Sequence, residues 1–203
     1  MKKLLISIYL LWAVAATVWG QQDARAVQVL DRLATQMRKA GGVTFRFGGT
    51  QDGVLELQGN RFHLKAGDVE TWFDGQTQWS YVAANEEVNV SSPTPEETQA
   101  MNPYALLDNY KQVFNCKYVG SKTRNGMQGT EVILTPKQDS EVADITLTTA
   151  TDGSKLLYIA FRMKSGDRQE IVIREFRKGQ QWGDAHFRFN QKQYPDAEVI
   201  DLR

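Results

Sequence analysis

Histidine and cysteine are nearly missing from this chain. Its 203 residues hold two histidines, His63 and His186, and one cysteine, Cys116. A single cysteine excludes an internal disulfide framework and any cysteine-rich metal site, and two histidines cannot complete a usual zinc shell. Folding is therefore expected to need neither a metal nor an oxidised disulfide. A surplus of charge is missing too, since 24 basic side chains balance 24 acidic ones. A nucleic-acid binder needs a basic excess to neutralise phosphates, so that class is excluded. Apolar residues at 41% and charged residues at 24% are ordinary for a globular chain and rule out disorder or a multispanning membrane protein.

Catalytic signatures are missing as well. The sequence has no G-x-S-x-G elbow, no Gly-rich phosphate loop and no H-E-x-x-H. His63 is out of phase with Phe62 and Leu64, and His186 with Phe187 and Phe189, so both are predicted as exposed strand residues. A lone base without a nucleophile or an orienting acid carries no chemistry. Glu86-Glu87 and Glu96-Glu97 fall in a turn and at a helix start, where paired carboxylates serve solubility and capping. Cys116 opens a predicted strand after Phe114 with no basic companion, and reads as a buried small apolar residue. The expectation is a protein that is not an enzyme, with no catalytic residue, metal or cofactor.

What is present begins at the N-terminus. Lys2 and Lys3 precede an apolar run of 16 residues, Leu4 to Trp19, ending in Val18-Trp19-Gly20. The run is shorter than the roughly 20 residues a spanning helix needs. A basic segment, an apolar segment and small residues at −3 and −1 describe a secretory signal peptide cut before Gln21. An uncleaved anchor is the competing reading. No cysteine lies near the cut, so a lipid-modified mature terminus is excluded. Removing residues 1–20 leaves 22 basic against 24 acidic groups, a surface not drawn to an anionic membrane. Residues 21–203 are expected to form a single domain.

Its first element is a helix over Ala24 to Ala40. Ala26, Leu30, Leu33 and Met37 share one face, Asp23 can cap the start, and Gly41-Gly42 ends it. Period two follows, with strands at Val43–Phe47, Gly53–Leu57, Arg61–Ala66, Val69–Phe73, Thr77–Val82 and Val88–Val90, the Asp74-Gly75 pair marking one hairpin. A helical insertion is predicted from Pro95-Glu96-Glu97 and again after Asn102-Pro103, with Tyr104, Leu107 and Tyr110 on one side. Further strands are predicted at Cys116–Gly120, Gln128–Thr135, Asp144–Thr149, Lys155–Lys164, Arg168–Arg177 and Ala185–Phe189, joined by Asn125-Gly126, Asp152-Gly153 and Gly166-Asp167. Tight turns give an antiparallel meander. Helices this few cannot cover both faces of such a sheet, so it must curl around them, and a large sheet around few helices tends to leave internal space.

The segment Thr71-Trp72-Phe73-Asp74-Gly75-Gln76-Thr77-Gln78-Trp79-Ser80-Tyr81 carries a resemblance. An Asp-Gly hairpin with aromatics on its return strand, following a strand pair like Gly53–Leu57 and Arg61–Leu64, resembles the outer-membrane lipoprotein carrier family, the LolA-like periplasmic chaperones. Leu134-Thr135-Pro136-Lys137, Phe187-Arg188-Phe189-Asn190 with Pro195, the Asn102-Pro103 helix and the signal peptide fall in the same order. One departure is the turn before the second strand pair, Gln58-Gly59-Asn60-Arg61, which lacks the family's proline and leaves Arg61 an approximate counterpart of its basic lid latch.

The resemblance implies an α+β fold: a curved antiparallel half-barrel sheet of about ten to eleven strands wrapped around an N-terminal helix and a mid-chain helical lid. It implies a monomeric periplasmic carrier that takes acylated lipoproteins from an inner-membrane ABC lipoprotein transporter to an outer-membrane acceptor, without nucleic acid. The alternatives are a lipid-sensing regulatory protein of the same fold and an exported hydrolase using a carboxylate pair. Burying an acyl chain of about 15 methylenes is worth roughly 12 kcal/mol, comparable to leaving it in a membrane, so a carrier site must sit near that balance. The candidate lipid-binding residues come from strand faces that share phase with the aromatics: Phe45, Phe47, Leu55, Leu57, Phe62, Leu64, Trp79 and Tyr81, with Leu106, Leu107 and Tyr110 from the insertion. Simple core packing is the competing reading for each of them.

Intact-mass measurement of the exported protein is expected to give a chain beginning at Gln21 without a lipid. A chain that keeps Met1 to Gly20, or carries an acyl modification, contradicts the reading of this terminus.

Overall fold

The computed structural model describes residues 23–94, 97–98 and 102–203. The expected signal peptide, and the Pro95-Glu96 part of the expected first insertion helix, lie outside the described residues.

Helix α1 spans Ala24–Lys39 and buries Ala26, Leu30, Leu33, Ala34 and Met37, the face its periodicity marks. Asp23 caps it by accepting from the Arg25 and Ala26 amides through Oδ1, while Oδ2 accepts from the Tyr118 amide at 2.9 Å. One carboxylate thus both starts the helix and docks that start on the sheet.

The strands are β1 (Gly42–Gly49), β2 (Gly53–Gln58), β3 (Arg61–Ala66), β4 (Val69–Phe73), β5 (Gln78–Val82) and β6 (Glu87–Ser91). After α2 (Pro103–Val113) come β7 (Phe114–Arg124), β8 (Met127–Pro136), β9 (Val142–Ala150), β10 (Leu156–Met163), β11 (Arg168–Gln180) and β12 (Glu198–Asp201). All lie in one open sheet, ordered β12-β6-β5-β4-β3-β2-β1-β11-β10-β9-β8-β7. The expected turns are where the sequence puts them. Asp74 Oδ1 accepts from the Gln76 and Thr77 amides, and Asn125 and Gly126 both take positive φ, as the tight β7–β8 hairpin requires.

The sheet has twelve strands rather than ten or eleven. Against the twelve segments that the sequence marks, two differences occur, and they cancel in number. Residues at Ala185–Phe189 do not form a strand but a 3-10 turn, Asp184–Phe187, because this segment crosses the face of the sheet instead of joining its edge. The chain then adds β12 parallel to β6, a pairing no local turn announces.

The core lies on the helix-covered, inner face. Val43, Phe45, Leu55, Leu57 and Phe62 from one half meet Val132, Leu134, Ile145, Leu147 and Ile159 from the other, with α1 and α2 between. Helix α2 is fastened to α1 near its C-terminal end. The Tyr110 hydroxyl donates to Asp31 Oδ1 at 2.8 Å and lies 3.2 Å from the Val27 carbonyl. Lys111 pairs with Asp31 Oδ2 at 2.8 Å and Arg38 with Asp108 at 2.7 Å.

Burial pushes the Asp31 carboxyl up, but the Lys111 ammonium and the Tyr110 hydroxyl outweigh it and hold it below its ordinary 3.8. A lowered folded-state value means that this contribution is complete above 3.8 and fades as pH falls below it. Thermal melts should therefore show Asp31→Asn a few degrees below wild type at neutral pH, with the two converging in strong acid. A gap that persists unchanged in acid would remove the ionised pair from the account.

Candidate functional site

Alternation on β3 divides the expected site residues between two faces. Phe62 and Leu64 point inward with Leu57 and Leu55 of β2, while Arg61, His63 and Lys65 point outward. Phe45, Leu55, Leu57, Phe62, Leu107 and Tyr110 are buried together in the inner cluster, and Phe47, Leu64 and Leu106 pack against it only partly buried. Nine of the eleven expected lining residues therefore meet beneath the helices.

Trp79 and Tyr81 do not join them. On β4 and β5, Trp72 stands opposite Trp79, and His63 opposite Trp72, which puts all three on the outer face. The inward positions of β5 are Gln78, Ser80 and Val82. Trp79 and Tyr81 instead pack on a second cluster of Val88, Val90 and Ala197, with Phe189 and Tyr194. The aromatic richness of the hairpin suggested a shared phase with Phe62, but the register of β3 to β5 reverses it.

Arg61 is corrected for the same reason. It faces outward, where its guanidinium donates to Asp184 and lies 4.9 Å from the centre of the Phe187 ring. It holds the C-terminal chain, not a helical lid.

That chain, residues 181–197, forms a strap across the outer face of β2 to β6. The Trp182 amide donates to Gln58 Oε1 at 2.9 Å, and Gly42 leaves room for the Trp182 ring, which a Cβ there would meet at 2.8 Å. Arg188 pairs with Asp74 at 3.0 Å. The Tyr194 hydroxyl donates to Glu70 at 2.8 Å, and its ring packs against Trp72, Tyr81 and Phe189. Phe187, within the strap, is wholly buried.

The two histidines lie under or within this strap and are not exposed strand residues. Their side chains retain 19% and 29% exposure, so most of each ring is covered. His63 stacks on Trp72 and His186 on Trp182, and both rings reach Glu56 Oε2. Burial raises the Glu70 carboxyl, but hydrogen bonds from His63, Tyr194 and Lys65 prevail and hold it at about 2. The outward phase of His63 was legible; the cover was not, because a crossing segment leaves no period in the sequence.

Cys116 is buried on the inner face, as expected, and burial pushes its thiol up to about 11 in spite of Lys137. It is a protonated packing residue at neutral pH.

Two open depressions lie away from the roofed cluster. One of about 500 Å³ is lined by Gln78, Ser91, Ser92, Pro93, Glu97, Leu202 and Arg203. The other, about 380 Å³, lies between the end of α1 and the β11 end, near Gln36, Phe176 and Lys178. Neither includes Leu106, Leu107 or Tyr110.

Comparison with known proteins adds three findings. A family model described as outer membrane lipoprotein carrier protein LolA matches residues 16–167. No curated protein matches the chain. Among solved structures, the fold is similar to an uncharacterized conserved protein from Thermus thermophilus, at TM-score 0.60 and 14% identity, covering 87% of this chain and 99% of that one. It is also similar to LprF from Mycobacterium bovis, at TM-score 0.50 and 12% identity, covering 80% and 97% respectively.

If Phe187 anchors the strap, Phe187→Ala should cost about 3–5 kcal/mol, the usual penalty for emptying a buried phenylalanine site. Limited trypsin digestion should then cut after Arg188 or Lys192 at a rate well above wild type. Unchanged protection would mean that the strap is held by its polar contacts alone.

Proposed function

The chain belongs to the outer membrane lipoprotein carrier protein family, and from that premise we propose that it is a periplasmic carrier that takes the acyl chains of lipoproteins beneath its helices. The work is binding and release between the inner and outer membranes, without catalysis. The supporting observation is the inner face itself. One apolar cluster runs through β1–β4, both helices and β7–β11, and its margin at Phe47, Leu64, Leu106, Phe161 and Phe176 is only partly buried.

The energetics favour α2 as the moving part. Among the described residues, its polar ties to α1 are at Asp108, Tyr110 and Lys111, in the half that leads into β7. Surface ion pairs such as Arg38–Asp108 contribute about 0–1 kcal/mol each and do not hold a helix down. Among the described residues, lifting it exposes the buried Leu107, at about 1.5–3 kcal/mol for a fully buried leucine. An incoming acyl chain returns more than that, roughly 12 kcal/mol for about 15 methylenes. The net gain, about 9–10 kcal/mol, stays below the roughly 12 kcal/mol that the same chain recovers in a membrane, so it can be given up to an acceptor.

Binding of a fluorescent fatty acid and of a purified acylated lipoprotein tests this reading. Leu64→Gln and Leu106→Gln, at the incompletely buried margin, should each weaken both ligands about tenfold, or 1.4 kcal/mol, with melts within a few degrees of wild type. A wild type that binds neither ligand, or variants that bind as wild type, would refute the site.

A further inference from the structure

The outer face carries a group of side chains that lipid carriage does not use. Glu56 comes from β2, His63 from β3 and His186 from the strap, and the strap's crossing brings the three together. We propose that Glu56, His63 and His186 bind a divalent transition metal, zinc by preference, and that the ion pins the C-terminal strap to the sheet.

The geometry is close to what the ion demands. Zinc bonds of about 2.0–2.1 Å at tetrahedral angles set ligand atoms about 3.3 Å apart. Glu56 Oε2 stands 3.2 Å from His63 Nδ1 and 2.8 Å from His186 Nε2, and the three atoms lie within 4.8 Å of one another. Small shifts of the three side chains, widening the two carboxylate separations and setting the imidazole nitrogens to match, admit the ion. The partial exposure of both imidazoles leaves a solvent side, which supplies an access path and a water as fourth ligand.

The surroundings prepare His63 for the part. Its Nε2 lies 2.8 Å from Glu70 Oε1. Glu70 already accepts from Tyr194 and Lys65, so the proton on that bond belongs to the imidazole. In the neutral ring Nδ1 then carries a lone pair, aimed at a carboxylate oxygen of Glu56. Two acceptors face each other, and a cation between them turns the clash into coordination. A histidine ligand whose other nitrogen donates to a carboxylate is the usual second layer of a zinc site. Stacking on Trp72 and Trp182 fixes the two ring planes, which lowers the ordering cost of closing the shell.

The donor set also selects. Two imidazole nitrogens and one carboxylate suit zinc, copper or nickel, whereas calcium and magnesium need oxygen ligands throughout. Cys116 is on the inner face and takes no part.

Calorimetric titration of zinc into chelator-treated protein is expected to show one ion per chain, a raised Tm, and slower trypsin cleavage after Arg188 and Lys192. Calcium and magnesium should do none of these. His186→Gln, whose amide can still donate to Glu56, should melt as the metal-free wild type does and lose all three zinc effects. Glu70→Gln should keep the site but weaken it by about tenfold to a hundredfold. Absence of zinc binding, or binding unchanged in His186→Gln and His63→Gln, overturns the proposal. If His186→Gln does not fold, cobalt in the wild type decides: the strong visible bands of a four-coordinate ion support the site, and their absence overturns it.

Discussion

A sheet has two faces, and α1 and α2 roof only one of them. In this protein α1 and α2 both lie on the inner face, where they complete a single apolar cluster with strands from each half of the sheet. The outer face of β2 to β6 is left with Trp72, Trp79, Tyr81, Val88 and Val90, too apolar to stand in water as one patch. The strap answers that need. It leaves β11 beside Gly42, lays Trp182, Phe187, Phe189 and Tyr194 over the exposed strands, and ends as β12 against β6. Arg61, Gln58, Asp74 and Glu70, which otherwise look like scattered surface polars, are its attachment points.

Local chemistry made much of this fold legible in the sequence. The face of α1, its Asp23 cap, the Asp74-Gly75 and Asn125-Gly126 turns and the inward phase of Phe45, Leu57 and Phe62 all follow from periodicity and turn stereochemistry. What escaped is non-local. Ala185–Phe189 alternates like a strand, but its alternation matches a 3-10 turn lying across other strands. Trp79 and Tyr81 were tied to Phe62 by their aromatic character, although only the intervening registers decide which face they share. His63 and Glu56 have matching phase on adjacent strands, yet nothing near either residue points to His186.

The two faces differ in how they are held. Inside, contacts are apolar and forgiving of displacement, and the polar ties of α2 among the described residues lie near its junction with β7. Outside, the contacts are directional: a carboxylate to each histidine, a phenol to Glu70, a guanidinium over Phe187. Directional contacts lose strength steeply with misalignment, so the outer layer resists sliding while the inner one tolerates it. A helix that moves over a face braced from behind can do so without distorting the strands beneath.

The pairing of β1 with β11 bears on how such a chain acquires its shape. Phe45 lies opposite Phe176, and their rings are 5.1 Å apart at the middle of the sheet. On either side, β1 to β6 and β7 to β11 are meanders of neighbouring hairpins that need only short loops. The central seam instead closes a loop of about 130 residues, Phe45 to Phe176, which makes it the costliest step in loop entropy. Until it forms, each half presents a long unpaired edge, β1 on one and β11 on the other. Those edges are the surfaces on which two unfinished molecules would pair with each other, and joining them within one chain is what removes that hazard.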